Sequence, residues 1–304
     1  MYSLSTCWNS NRHTDGRAML REIRELGFEY AELSHGIRIS LLPGIIEAVD
    51  AGEIKISSLH NFCPLPIGVT HAAPNLFKFT SLDARERENA YRHTLKTIET
   101  AARLKAPVVV LHLGCIEMKE YTDRLVELID RGMKDSPKYE RLCQEAAEKR
   151  ERKKERHLEL AYEILRRLED QVEGYGLKLG VENRQGLEEL PLEDDFSFLF
   201  KEFVSPSIGY WHDTGHGQIK ENLGFIHHEI FLESMAERLL GFHLHDVEYP
   251  VHDHRPPGEG GTDFAALKPW VKPQHFKIFE LSPGTPVDQL RQGVAYLKSL
   301  WGEE

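Results

Sequence analysis

The amino-acid sequence predicts a single closed (β/α)8 barrel, and three observations lead to this fold class. Eight short apolar or β-branched runs recur along the 304 residues, and amphipathic stretches with the helical period lie between them. Strands that alternate with helices pair in parallel through right-handed crossovers. No glycine-rich phosphate-binding sequence follows the first run, which disfavours an open doubly wound sheet. We therefore predict one TIM-barrel domain over residues 1–304.

The predicted strands follow one another at crossover spacing, with one exception. They are Tyr2–Cys7, Phe28–Leu33, Lys55–His60, Pro107–Gly114, Leu177–Asn183, Ser207–Asp213, Leu240–Asp246 and Phe276–Leu281. The interval between the fourth and fifth strands is too long for a single crossover helix. Its apolar residues hold the helical period at Leu158, Ala161, Leu165, Leu168 and Val172. We predict a long helical insert over approximately residues 115–175, with its second half packed on the barrel.

Composition and charge limit the classes of partner. The chain has 38 Lys and Arg against 49 Asp and Glu, a net charge of −11, which disfavours a broad nucleic-acid surface. Residues 148–156 carry six basic and three acidic side chains, and mixed signs on one helix indicate a solvated face. Four scattered cysteines, with neither a leader-like start nor an apolar stretch of membrane-spanning length, predict a cytoplasmic protein without membrane contact. A homo-oligomer is compatible with the sequence.

Histidines and carboxylates interrupt the apolar runs at their last positions. These residues are His60, His112, Glu182, Asp213, His243, His245 and Glu280, from the third to the eighth strand. The ends of parallel barrel strands meet at one face, where active sites are built. An ionised carboxylate beside an apolar core is costly unless it is paired or bound to a metal. Imidazole mixed with carboxylate predicts a divalent metal centre, Zn²⁺ or Mn²⁺ before Mg²⁺, and a metal-free hydrogen-bond network is the alternative.

The motifs "LGVENRQG", "WHDTGHG", "GFHLHD" and "IFELSP" resemble the strand ends of the xylose-isomerase-like barrel superfamily. That superfamily contains sugar isomerases and epimerases, inosose dehydratases and the endonuclease IV type of repair nuclease. The resemblance implies one metal held by Glu182, Asp213, His243 and Glu280. His243 and His245 are two positions apart and face the same side of a strand, so the choice between them stays open, with His243 favoured.

The resemblance implies a metal-dependent isomerase or epimerase of a small sugar or polyol-like carbohydrate, acting through an enediolate. Glu182 and Glu280 would serve as general base and acid on either side of the substrate carbon. The resemblance also implies that His112 and His216 orient substrate oxygens. Glu32 and Trp8, near the ends of the second and first strands, are further candidates for contact with the carbohydrate, although a solvated loop and rim packing explain them equally well.

A second interpretation is a multi-zinc phosphodiesterase or phosphatase of the endonuclease IV type. The residues that match its additional zinc ligands are His60, His112, His216, His252 and His254. His252 stands where that type has aspartate, and its longer signatures after the third and sixth strands are absent.

Two further predictions concern other histidines. Prolines stiffen the loop after the seventh strand, so we predict that His252 or His254 returns to the metal site. His227 and His228 lie in a helical stretch and are predicted to be at the surface.

Overall fold

The computed structural model describes residues 1–69, 71, 73 and 75–302, and it confirms the closed barrel of eight parallel strands. The barrel strands, numbered first to eighth here, are Tyr2–Ser5, Tyr30–Leu33, Lys55–His60, Val108–Leu111, Lys178–Glu182, Ile208–Asp213, Leu239–Leu244 and Phe276–Phe279. The first strand pairs with both the second and the eighth, which closes the ring. Each predicted strand is present, with ends that differ by a few residues.

Helices connect the strands on the outside of the barrel. They are α1 (Gly16–Glu25), α2 (Leu42–Asp50), α3 (Ala84–Arg103), α4 (Tyr121–Asp130), α5 (Pro137–Tyr175), α6 (Glu193–Glu202), α7 (Thr214–Leu223), α8 (His228–Met235), α9 (Phe264–Leu267) and α10 (Val287–Trp301). Helix α5 begins after Ser136, whose side chain caps it, and ends at Gly176 in the left-handed conformation. Within the described residues, each helix is too short or too polar to cross a bilayer.

The predicted insert consists of two helices, α4 and the 39-residue α5, and not of one continuous segment from residue 115. Leu165, Leu168 and Val172 on the second half of α5 pack in the main core, as predicted. The first half of α5 and α4 form a second core, which also contains Ile219 of α7 and Val247. The insert therefore covers the connections that follow the sixth and seventh strands.

An apolar layer fills the barrel below its carboxyl-terminal mouth. Trp211 is fully buried there, and its ring lies 5.2 Å from the ring of His243. Gly180 and Gly241 leave room for the indole, because a Cβ atom at either position would lie 3.0 or 2.7 Å from it. Val108, Val110 and Ile278 pack in the same cluster. The polar side chains at the mouth therefore lie directly on a closely packed apolar layer.

The segment after the seventh strand is a β-hairpin, where the sequence predicted an irregular loop. Asp246–Glu248 pairs antiparallel with His252–Arg255. Asp246 is buried, and its carboxylate accepts hydrogen bonds from the backbone N–H groups of Gly258, Gly260 and Thr262, all at 2.9 Å. The turn-forming prolines are compatible with this ladder because they flank the two strands of the hairpin.

Candidate metal centre

Four of the predicted ligands meet at the barrel mouth. Each of the residues Glu182, Asp213, His243 and Glu280 places a ligand atom within 4.8 Å of those of the others, and all four are buried. They come from the ends of the fifth to eighth strands. Because alternate strand residues face opposite sides, Trp211 and Asp213 point into the barrel together. His243, on the seventh strand, lies above the ring of Trp211.

The geometry distinguishes His243 from His245. His243 Nδ1 lies 2.6 Å from Glu182 Oε1 and 3.2 Å from Glu280 Oε2, inside the carboxylate group. In contrast, His245 Nδ1 accepts the backbone N–H of His254 at 3.0 Å. Its Nε2–H is therefore left to donate to Asp213 Oδ2, also at 3.0 Å. His243 belongs to the four-residue group, and His245 borders it.

Glu32 lies beneath the site and not at its rim. It is fully buried, it accepts a hydrogen bond from Ser58 Oγ at 2.8 Å, and it lies 3.0 Å from His243 Nε2. A metal-ligating histidine usually donates its second ring N–H to a carboxylate, which fixes the ring. The structure therefore gives Glu32 the position of an orienting group for His243, whereas the sequence prediction placed it in contact with a sugar.

The surroundings of Glu182 and Asp213 keep these two carboxylates ionised. Burial raises the pKa of Glu182, but the charge of His243 and the hydrogen bonds of His112 and His243 hold it well below its usual value. Burial has the same effect on Asp213, and the charges of His216 and His245 lower its pKa further than burial raises it. Burial lowers the pKa of His243, and the surrounding carboxylates, Glu280 first, raise it well above its usual value.

These residues fit a divalent cation. Three carboxylates and one imidazole converge within 4.8 Å, and Glu32 adds a fourth carboxylate below them. Four buried carboxylates held this close are costly without cations, and a divalent ion would supply two positive charges at their centre. Carboxylate oxygens with an imidazole nitrogen are donors that suit Zn²⁺ or Mn²⁺. Glu182, Asp213, His243 and Glu280 are the residues that would hold it.

Histidines at the ends of the third and fourth strands contact the second oxygen of Glu182. His60 Nε2 lies 3.4 Å from Glu182 Oε2, and His112 Nε2 contacts the same oxygen. Burial lowers the pKa of His112 to about 3, with the charge of Arg184 adding to the effect, so this ring is neutral. The ring of His60 also stacks on that of His243, with 5.6 Å between the centroids, and His60, Glu182 and His243 form a second ligand-capable group.

Arg184 is a site residue that the sequence reasoning did not identify. It is buried, with Nη1 at 2.8 Å from His112 Nε2 and 3.3 Å from His216 Nδ1. Its Nη2 donates to Glu189 Oε1 at 2.9 Å, which anchors the guanidinium. The available signal was its place in "VENRQG", two residues after Glu182.

The two hairpin histidines differ in position. His254 forms a ligand-capable group with His245 and Glu280, and its ring stacks on His245 at 4.4 Å. Its backbone is left-handed, with a φ of 57°, which is unusual for a residue with a Cβ and occurs often at functional sites. Burial lowers the pKa of His254, but the hydrogen bond to Asp253 and the charge of Glu280 raise it to about 9. His252 is exposed and belongs to no ligand group among the described residues.

A cavity of about 250 Å³ opens above these groups. Its described lining consists of His35, His60, His112, Glu182, Arg184, Gln185, His216, Asp253, His254 and Glu280. Trp8 is not part of this lining, although it was a candidate for carbohydrate contact. Trp8 is buried, its Nε1 donates to the carbonyl of Thr285 at 2.9 Å, and the Arg12 guanidinium lies 4.1 Å from its ring.

Comparisons with known proteins agree with this geometry. The sequence model of a family described as xylose isomerase-like TIM barrel matches residues 20–300. The fold is similar to a D-tagatose 3-epimerase-like protein, at 19% identity, a TM-score of 0.69 and coverage of 99% of this chain and 97% of that chain. An L-ribulose 3-epimerase has 14% identity, a TM-score of 0.71 and coverage of 99% and 94%. A 3-keto-D-glucoside 4-epimerase from E. coli has 16% identity, a TM-score of 0.69 and coverage of 98% of both chains. No curated protein matches the sequence significantly.

Proposed function

The chain belongs to the xylose isomerase-like TIM barrel family, and we propose that it is a divalent-metal-dependent isomerase or epimerase of a small sugar or polyol-like substrate. The observation that carries the proposal is the group of Glu182, Asp213, His243 and Glu280, with two glutamates beside one polar cavity. The structurally similar proteins described as sugar epimerases support the same reaction class.

The bound cation, Zn²⁺ or Mn²⁺, would supply Lewis acidity towards two adjacent substrate oxygens and so stabilise an enediolate of the substrate. The remaining chemistry falls to side chains. An epimerase must remove a proton from one face of a carbon and return one on the other face. An isomerase moves a proton between neighbouring carbons on a single face. Both reactions need carboxylates that are held close to the substrate carbon.

Glu182 and Glu280 are placed for these proton transfers. They extend from the fifth and eighth strands, which the sixth and seventh strands separate in the barrel. The pKa of Glu182, which His243 holds well below its usual value against the effect of burial, keeps its carboxylate ionised at neutral pH. An ionised carboxylate is the form that accepts a proton from carbon. In an epimerase, Glu280 in its protonated form would donate a different proton to the opposite face of that carbon, which leaves Glu182 protonated and Glu280 ionised until both exchange with solvent.

Arg184, His112 and His216 would orient the substrate oxygens. All three line the cavity, and Nη1 of Arg184 lies within 3.3 Å of a ring nitrogen of each histidine. The cavity of about 250 Å³ lies just below the common size range of ligand sites, about 300–1,000 Å³. Its polar lining suits a molecule with several hydroxyl groups.

The test is proton exchange in D₂O, followed by NMR on D-fructose, D-tagatose and D-ribulose with the Mn²⁺-loaded or Zn²⁺-loaded protein. Deuterium at C3 identifies a 3-epimerase, and deuterium at C1 identifies an aldose–ketose isomerase. We expect Glu182→Gln and Glu280→Gln to lower exchange by about 10³-fold, within the range that general acid–base groups contribute. Glu25→Gln, an exposed position on α1, is the matched control. Wild-type exchange and metal content in both active-site variants would show the proposal to be wrong.

The multi-zinc phosphodiesterase remains a second candidate because His60 and His112, two of the residues that match its additional zinc ligands, both contact Glu182. The exposed His252 argues against a complete three-zinc cluster. Elemental analysis with a bis(p-nitrophenyl) phosphate assay separates the candidates. About one metal per chain without hydrolysis supports the isomerase, and two or three with hydrolysis support the phosphodiesterase.

A further inference from the structure

A second cavity adjoins the metal-centre cavity on the side of the first and second strands. It has a volume of about 390 Å³, and its described lining is Cys7, Ser10, Asn11, Ser34, His35, Gly36, Arg38, Leu65 and Pro283. His35 lines both cavities and forms their common wall. Pro283 comes three residues after Glu280, so the second cavity begins beside a proposed proton-transfer group. We call it the side chamber.

His35 itself points to a ligand at this wall. Its Nδ1 atom is buried, and among the described residues it has no hydrogen-bond partner. Its ring packs edge-on against His60, with 5.0 Å between the centroids. A buried polar atom without a partner is costly, and in native proteins such atoms are usually satisfied by water or by a bound molecule. A substrate that spans the two cavities would pass directly beside this ring.

The side chamber has the chemistry of a site for a neutral hydroxylated group. Ser10, Asn11 and Ser34 provide hydroxyl and amide groups that both donate and accept hydrogen bonds. Leu65 and Pro283 add apolar surface, against which the carbon face of a sugar ring can pack. Such a mixture of apolar surface and a few placed polar groups is typical of small-molecule sites.

The single guanidinium of the described lining belongs to Arg38, and one of its terminal nitrogens holds the wall. Arg38 Nη2 donates to the backbone carbonyl of His13 and lies 3.4 Å from the carbonyl of Ser10. Phosphate and carboxylate substituents are most often held by a bidentate arginine or by several cationic donors. With one exposed guanidinium that is already tied at Nη2, the described lining favours an uncharged substituent over an anionic one.

We propose that the substrate is a disaccharide in which a second, uncharged sugar unit, bound in the side chamber, is attached through a hydroxyl group of the reacting sugar remote from the reacting carbons. The inference rests on the proposed function, because the reacting sugar must occupy the metal-centre cavity. Together the two cavities fall well inside the size range of about 300–1,000 Å³ for ligand sites, so a substrate with two rings can be accommodated.

The experiment compares D-fructose, isomaltulose (fructose with a glucosyl unit on O6) and D-fructose 6-phosphate, with exchange in D₂O as the readout. We expect kcat/KM for isomaltulose to exceed that for fructose by about tenfold, which corresponds to about 1.4 kcal/mol. Asn11→Trp fills the side chamber from an exposed position and should bring the ratio of the two values to about one. Gln292→Trp, exposed on α10, is the matched control and should keep the wild-type ratio.

A ratio at or below one in the wild type, a preference for fructose 6-phosphate, or a preference that persists in Asn11→Trp would overturn the inference while leaving the proposed function intact. If no substrate exchanges deuterium, the proposed function fails, and calorimetry with isomaltulose and fructose then decides the inference separately. Tighter binding of isomaltulose that Asn11→Trp abolishes would support the side chamber, and equal binding of both sugars would exclude it.

Discussion

Two buried histidine clusters lie on opposite sides of the sixth barrel strand, and the charges beside them differ. Asp213 on the inner side faces the cluster that contains His243. His212, its chain neighbour, faces outwards and contacts His228 at the start of α8. Alternate strand residues point to opposite sides, so adjacent positions place one side chain in each cluster. We refer to them as the inner and outer clusters.

The inner cluster contains carboxylates, whereas the outer cluster consists of the rings of Tyr210, His212 and His228. The outer rings form a chain in which Tyr210 Oη lies 2.7 Å from His212 Nδ1 and His212 Nε2 lies 2.9 Å from His228 Nε2. Burial, with the charge of Lys220, lowers the pKa of His228 to about 3. The pKa of His243 is raised, although burial alone would lower it. Burial and the charge of Lys220 therefore keep His228 neutral, whereas the carboxylates around His243 raise its pKa.

The first prediction makes the same substitution, histidine to glutamine, once in each cluster. His243→Gln should weaken metal affinity by more than about 100-fold, the upper range for loss of an orienting partner, because a ligand itself is removed. His212→Gln should destabilise the fold but retain metal binding. Elemental analysis after dialysis against a chelator gradient measures both. Equal metal loss in the two variants would contradict the assignment of metal binding to the inner cluster.

The second prediction concerns Glu32 beneath His243. Glu32→Gln should weaken metal affinity by about 10–100-fold, because the amide holds the His243 ring less firmly than a carboxylate does. A purely structural role would lower thermal stability without changing the metal dissociation constant. Glu22→Gln, which alters a half-buried carboxylate paired with Arg12 on the outside of the barrel, is the control and should bind metal normally.

The third prediction is that substitutions of the two hairpin histidines differ in effect. His254→Ala should lower turnover by about tenfold, at the low end of what one positioned polar group contributes, or lower the metal content if a second ion is bound. His252→Ala should change neither quantity, because the ring is exposed. Steady-state kinetics and metal content of both variants provide the measurement. An effect of His252→Ala as large as that of His254→Ala would contradict the assignment.

The smallest effect is expected in the pH dependence of stability. The folded pKa of His228 is lowered to about 3, mainly by burial, so the unfolded chain protonates this ring first as the pH falls. The part of the free energy of unfolding that depends on a neutral His228 ring is fully present above about pH 6.5. It is lost as the pH falls towards 3, by at most about 1.4 kcal/mol per pH unit. His228→Gln should make this slope shallower.

Urea unfolding of both proteins at pH 7.5, 6 and 5, in the presence of a chelator, measures the difference. Parallel slopes in the wild type and His228→Gln would mean that His228 is protonated in the folded protein, and the outer cluster would then resemble the inner one.

Local pattern in the sequence was sufficient for the barrel and for the set of polar side chains at its mouth, because the strand period and the parallel topology together determine which side chains meet there. The choice of four ligands among them came from the resemblance to a known family. Local pattern was not sufficient where the position of a side chain depends on contacts with residues far away in the chain. The surface prediction for His228 was wrong, since the ring packs against Gly217 of α7, where a Cβ would lie 2.3 Å from its Nε2. The position of Glu32 depends on Ser58 and His243, which are 26 and 211 residues away in the chain.

The single carboxylate of Asp246 also has a consequence for how this protein can diverge. It binds the backbone of residues 258, 260 and 262, so both ends of the intervening segment are fixed at one point next to the seventh strand. Backbone contacts place no demand on the side chains between them. Substitutions at residues 249–252, which precede Asp253 and His254, are therefore expected to leave the strand that carries His243 in its place. In a fold whose sites are built from loops, this arrangement separates the tip of the hairpin from the strand beneath it.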